Sequence, residues 1–266
     1  MNTRYATAFA AITILLVAVT LTAATTTSEV FAQTEDAEDT SSDSTNQTAE
    51  SAGTAEDEYT SSFRTENCTF SATGSNPYFI LEPNYRQVLV ANESEGAEVE
   101  LTITVLNETR EVNGTETRVV EERETENGEL VEISRNFFAI CDETNSVFYF
   151  GEEVDDYENG QIVGHEGAWL AGEGDNKAGM FMPGTVLLGA RYYQEIAPNI
   201  AEDRAEITEI DGELEVPAGS FDDVLVVVES NPLEPGVEEL NYYAPGVGVL
   251  QDEDEKLVEY GFTEEQ

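Results

Sequence analysis

The chain is short of the residues that most enzyme chemistry needs. It holds one histidine, His165, one tryptophan, Trp169, two cysteines, Cys68 and Cys141, and two lysines, Lys177 and Lys256. No Gly-x-Ser-x-Gly elbow surrounds any serine, so a Ser-His-Asp site lacks its local signature. His165 then reads as a surface or hairpin-end residue. Two cysteines without a Cys-x-x-Cys spacing make a poor zinc or redox centre. Bases are scarce as well, 11 against 56 acids, for a net charge of −45. Phosphate binding needs a basic footprint, so nucleic acid is excluded as a partner. Long helical stripes are missing too, and the best candidate for a helical turn is the short stretch from Ile196 to Ala205. A hydrolase built on carboxylates alone is the one enzyme reading left, and among 56 acids any pair arises by chance. The expectation is a protein without catalytic activity.

What is present begins with a leader-like segment. Arg4 is the only charged side chain before Glu29, Ala6 to Ala24 is apolar or small, and Val30-Phe31-Ala32 offers small residues for cleavage before Gln33. Residues 1–32 read as a signal peptide, with an uncleaved membrane anchor as the alternative. In that alternative the segment is the chain's sole membrane contact. From Gln33 to Glu58 there is no large apolar side chain, so residues 33–62 read as an acidic, disordered linker. Residues 63–266 are left for one β-rich domain, secreted or displayed at the cell surface. In that compartment an even cysteine count favours a Cys68–Cys141 disulfide. It would close a loop of about 73 residues, worth roughly 4 kcal/mol in the chain-entropy model.

Within that domain the dominant period is two. Val99, Leu101, Ile103 and Val105 alternate with Glu100, Thr102 and Thr104, the pattern of a strand with one buried face. Leu130–Ile133, Phe137–Cys141, Val147–Phe150, Gln161–Val163, Asp223–Val228, Leu240–Tyr243 and Val247–Leu250 read as further strands. Asn113-Gly114, Asn127-Gly128, Asn159-Gly160 and Asp211-Gly212 each separate β-prone runs and favour type I′ hairpin turns. The fold expected is mainly β, an antiparallel meander forming a half-open or closed barrel around one oily interior, with little helix. Gly164 to Pro183, which contains Trp169, has little strand character and is the candidate cover over the apolar face.

Two local features point to ligands. Asp155 to Glu166 matches the spacing of a twelve-position calcium loop at Asn159, Gly160, Ile162 and Glu166, but Tyr157 stands where an oxygen ligand belongs. The hairpin reading competes, and Asp155, Asp156 and Glu158 remain candidate calcium ligands under either. Asn-x-Ser/Thr sequons occur at Asn46, Asn67, Asn92, Asn107 and Asn113, candidate glycosylation sites for a displayed protein. The acid excess itself fits a solvated exported surface, adaptation to high salt, or surface cation binding.

Several strings carry a family resemblance: Asn76-Pro77-Tyr78-Phe79, Tyr149-Phe150-Gly151-Glu152, Glu166-Gly167-Ala168-Trp169, Met182-Pro183-Gly184 and Tyr192-Tyr193-Gln194-Glu195. Two more are Val216-Pro217-Ala218-Gly219-Ser220-Phe221 and Tyr242-Tyr243-Ala244-Pro245-Gly246-Val247-Gly248. Together they resemble a family of uncharacterised exported bacterial and archaeal proteins. The last two strings are similar to those of exported half-barrel families related in architecture to periplasmic lipoprotein-carrier folds. The resemblance implies a half-barrel over roughly residues 76–260 and no reaction. The functional expectation is a binding module for a lipid or other apolar ligand at the cell envelope. Its alternative is a structural or interaction protein of the cell surface, calcium-bridged or glycosylated.

Overall fold

The computed structural model describes residues 59–92 and 98–263. The leader reading, nearly all of the linker reading and Asn46 lie outside them. The fold starts inside the span read as linker: Thr60 forms a parallel bridge with Tyr192 and exchanges backbone bonds with Arg191 and Tyr193 at 3.0 and 2.9 Å.

After one 3-10 turn at Thr65–Asn67 the described residues are all strand and connection. β1 (Phe70–Ser71), β2 (Gly74–Asn76) and β3 (Phe79–Leu81) precede β4 (Tyr85–Asn92) and β5 (Glu98–Val112). The long hairpins follow as β6 (Thr115–Glu126), β7 (Glu129–Cys141), β8 (Ser146–Glu158) and β9 (Gln161–Gly164). Short strands β10 (Trp169–Leu170), β11 (Lys177–Met182), β12 (Arg191–Tyr193) and β13 (Glu195–Ile196) come next. The chain closes with β14 (Arg204–Val216), β15 (Gly219–Ser230), β16 (Glu239–Ala244), β17 (Gly248–Asp252) and β18 (Glu255–Phe262). Sixteen of these strands form one antiparallel sheet whose path runs β12, β14 to β18, β4 to β8, β11, β13. The expected antiparallel meander is therefore present as a barrel with one unsealed seam. At that seam Arg191–Ile196 crosses from one sheet edge to the other, pairing first with β14 and then with β11. Gly179 makes the crossing feasible, because a Cβ there would stand 2.1 Å from the Gln194 carbonyl oxygen.

The Asn-Gly turns behave as their chemistry demands. Asn113, Asn127 and Asn159 have φ of 49, 53 and 51°, and the glycines after them 78, 79 and 73°. Both central residues of a type I′ turn need positive φ, which asparagine and glycine tolerate. Asp211-Gly212 departs from expectation. It lies inside β14, where the register with β15 shifts between Glu209, Gly212 and Leu214, and the hairpin turns at Pro217-Ala218 instead. Proline cannot donate a ladder bond, so the strand ends there, while the pairing absorbs Asp211-Gly212 as an irregularity.

Gly164–Pro183 is also more regular than its composition suggested. β11 is a member of the main sheet, paired with β8 and β13. Trp169 is buried, pairs with Glu152 across β10 and β8, and packs edge-on against Tyr149 at 5.5 Å. Ile196–Ala205 forms no helix; an Ala197–Ala201 bridge closes it as a turn.

Continuous burial over Asn136–Cys141 and Ser146–Glu152 has a physical source: both faces of the β7–β8 pair are covered. Inside, Phe138 stacks on Tyr149 at 4.6 Å and meets Phe79 and Phe181 at 4.9 and 5.1 Å. Outside, the N-terminal strap lays Phe63 and Phe70 on Phe148 at 5.8 and 5.5 Å, and Phe70 also meets Phe150 at 5.2 Å. The Cys68–Cys141 disulfide fastens that strap to the end of β7, as the cysteine count predicted.

Candidate functional site

Strand register fills part of the barrel interior with carboxylates. Residues directly opposite one another in neighbouring antiparallel strands share a face. Leu101, fully buried, faces Glu124, which faces Glu132, which faces Asp156. Next along the strands, Ile103, Glu122, Ser134 and Val154 form a second row, and Val120, Asn136 and Glu152 a third. Glu122, Glu124, Glu132, Glu152, Glu195, Asp203, Glu229, Asp252 and Glu255 are all buried. The interior is thus aromatic in one zone and acidic in another, which corrects the expectation of a single oily core. Alternation misled there because β7 is inverted over this stretch: Glu132, Ser134 and Asn136 are buried, whereas Val131, Ile133 and Arg135 are only half-buried.

The electrostatics follow from burial. Loss of solvent, then the neighbouring carboxylates, raise Glu124 and Glu132 to about 8. Burial likewise raises Glu229 to about 7, against hydrogen bonds from Gln194 and Asn241 that favour its ionised form. Glu152 is held well above the ordinary carboxylate range, first by burial and then by the Glu132 and Glu122 charges. Glu195 is raised in the same way by burial and then by Asp203. Asp203, raised to about 6 by burial, is pulled back by contacts with Glu195 and Asn231. The Tyr149 hydroxyl donates to Asn136 Oδ1 at 2.5 Å. It also lies near enough to Glu152 to favour that carboxylate, without hydrogen-bond geometry to either oxygen. None of the ion pairs among the described residues reaches Glu152, Glu195 or Asp203. The one buried arginine among the described residues, Arg118, donates to the carbonyls of Ala72, Leu106 and Glu108 instead.

A separate cleft opens on the outer face, between the strap and β8. Its volume is about 640 Å³, and its lining includes Phe63, Phe70, Phe150, Cys68, Asn113, Asn176, Arg64, Glu66 and Lys177. The aromatic floor comes from the strap and β8, and the cations from strap and β11. Arg64 is held at φ 52°, in the left-handed region, just before the 3-10 turn. Neither Arg64 nor Lys177 has a carboxylate partner among the described ion pairs. Inside the barrel, by contrast, the cavity lined by Phe79, Tyr85, Ile103, Glu122 and Tyr243 is only about 20 Å³, room for about one water molecule.

The residues singled out by sequence are distributed as follows. Asp155, Asp156 and Glu158 sit at the end of β8, in the hairpin that turns at Asn159-Gly160. Asp155 and Asp156 are successive strand residues, so their carboxylates leave from opposite faces. Asp155 Oδ1 is 3.0 Å from His165 Nδ1, and Asp156 Oδ2 accepts from the Glu166 backbone at 3.1 Å. These three acids are not among the described groups whose ligand atoms converge within 4.8 Å. His165 is at the hairpin end, as expected, and its Nδ1 lies 2.7 Å from the Val154 carbonyl. Asn67, Asn107 and Asn113 are exposed, and Asn92 ends β4. Trp169 lines the aromatic interior rather than lying over it. Sequence reasoning missed Glu152, Glu195 and Asp203. The signal available was Tyr192-Tyr193-Gln194-Glu195, where a carboxylate follows two aromatics in a strand-like run.

Comparison with protein-family models, with curated proteins and with solved structures returns no match for this chain.

Proposed function

We propose that this chain is an exported, non-enzymatic binding module of the cell envelope. It takes an apolar ligand with an anionic head group into the strap cleft. The observation that carries this reading is the pairing of three phenylalanines with two cations, Arg64 and Lys177, around about 640 Å³. That volume is within the range that holds small organic ligands. In a chain of net charge −45, two bases without acidic partners beside an aromatic floor select for an anionic amphiphile. An acidic surface repels such a ligand everywhere else. The leader-like N-terminus and the disulfide support export, and the motif strings from Asn76 to Gly248 support the half-barrel reading. The barrel interior is the less suitable place for a lipid tail, because its cavity is only about 20 Å³ and Glu122 is part of its lining.

Binding of dodecanoate and of dodecyltrimethylammonium, followed by calorimetry on the full chain, tests the proposal. The two share a tail and differ in head-group charge. Dodecanoate is expected to bind and the ammonium analogue to fail, with Arg64→Glu and Lys177→Glu each weakening dodecanoate at least about tenfold, the equivalent of 1.4 kcal/mol. Equal binding of both tails, or unchanged dodecanoate affinity in the variants, would overturn it.

A further inference from the structure

We propose that the seam of the barrel is a cation site, in which a calcium-class divalent ion is held between Glu195 and Asp203, with Glu152 and the Gln194 amide oxygen completing the oxygen set. The seam brings these groups together through the backbone. The Gln194 and Glu195 amides both donate to the Asp203 carbonyl, at 2.8 and 3.1 Å. Glu152 joins them from the facing strand, since its pairing partner Trp169 points its indole N–H towards Glu195. No oxygen of Glu152 or Glu195 meets hydrogen-bond geometry with a neighbour, although the Tyr149 hydroxyl lies near the first, the Trp169 indole and Asp203 lie near the second, and the two side chains are 1 and 0% exposed.

Neutral groups point the same way. Gln194, 1% exposed, donates its amide nitrogen to Glu229 at 2.8 Å and leaves its carbonyl oxygen bare. Tyr192, 2% exposed, leaves its hydroxyl without a partner two residues earlier on the same crossing. A buried polar atom without a partner costs about 1–3 kcal/mol, and bare acceptors gathered at one place call for a positive guest. Every acceptor is a hard oxygen, which favours calcium over thiolate- or imidazole-seeking metals. Glu195 and Asp203 already meet side chain to side chain, while Glu152, Glu195 and Asp203 do not all converge within 4.8 Å. Calcium's adaptable coordination tolerates the side-chain rotations that draw them in. Glu195 is on the edge carried by β13 and Asp203 leads into β14, so an ion between them latches the two edges of the sheet.

Trp169 supplies the readout, because terbium replaces calcium at oxygen sites and emits when a nearby indole is excited. The full chain is titrated with terbium at about pH 8 in molar salt, where surface attraction is screened to about 3 Å, and melting is followed with calcium or chelator. Saturable emission displaced by calcium is expected, together with at least a tenfold calcium-induced rise in the folded-to-unfolded ratio. Glu195→Gln and Asp203→Asn should abolish both responses, while Glu195→Gln without metal melts no lower than the parent. Trp169→Phe should lose the emission and keep the calcium shift. No emission, emission surviving in both carboxylate variants, or an equal calcium shift in parent and Glu195→Gln would each overturn the proposal.

Discussion

Replacing Glu124 by glutamine should stabilise the protein at alkaline pH and leave it almost unchanged near pH 5. Glu124 stands directly opposite Glu132, which stands directly opposite Asp156, and like charges in that relation repel. Burial, followed by the charges of Glu132, Glu255 and Glu126, raises Glu124 from 4.5 to about 8. The folded state then binds more protons than the unfolded chain between the two values. Stability is fully present below the unfolded pKa and is lost as pH rises through the folded one. With 1.36 kcal/mol per unit, Glu124 alone removes about 3.5 kcal/mol between pH 5 and pH 8. For a domain of this size that corresponds to roughly 10 °C in melting temperature. Glutamine keeps the shape and does not titrate. Thermal melts of parent and variant across that pH range, in molar salt to suppress surface repulsion, check the figure. The parent should melt lower at pH 8 than at pH 5, with the variant flatter. A parent that gains stability over this interval, or a parent–variant difference independent of pH, would refute the account of the acidic interior.

Two further outcomes follow from the fold. Replacing both Cys68 and Cys141 by serine opens a loop spanning 73 positions, so the variant should lose about 4 kcal/mol in the chain-entropy model, read by chemical denaturation. Gly151→Ala should separate β10 from β8, because Gly151 has φ 120° and its Cβ would stand 2.2 Å from the Trp169 carbonyl oxygen. Trp169 emission should then shift towards that of a solvated indole, and an unchanged spectrum with unchanged stability would contradict the packing described.

Much of the scaffold was legible in the residues because its causes are local. Asn113-Gly114, Asn127-Gly128 and Asn159-Gly160 turn the chain wherever they occur, since both residues accept positive φ. Val99 to Val105 alternates because one face of β5 is buried. The site was much less legible. Glu132, Ser134 and Asn136 look like the solvent face of β7, yet closure of the barrel turns them inward. The strap cleft joins Arg64 to Lys177, 113 positions apart in the chain, and no local pattern announces that meeting.

The sequence by itself determined the strand content, the type I′ hairpins and the pairing of the two cysteines, because each depends on backbone torsions or on a count. Tertiary structure alone decided which face of each strand turns inward. Period two gives every strand two faces of equal geometry, and only the register of its neighbours and the closing of the sheet choose between them. That choice placed Glu124, Glu132 and Glu152 in the interior, and with it set the charge of the chamber.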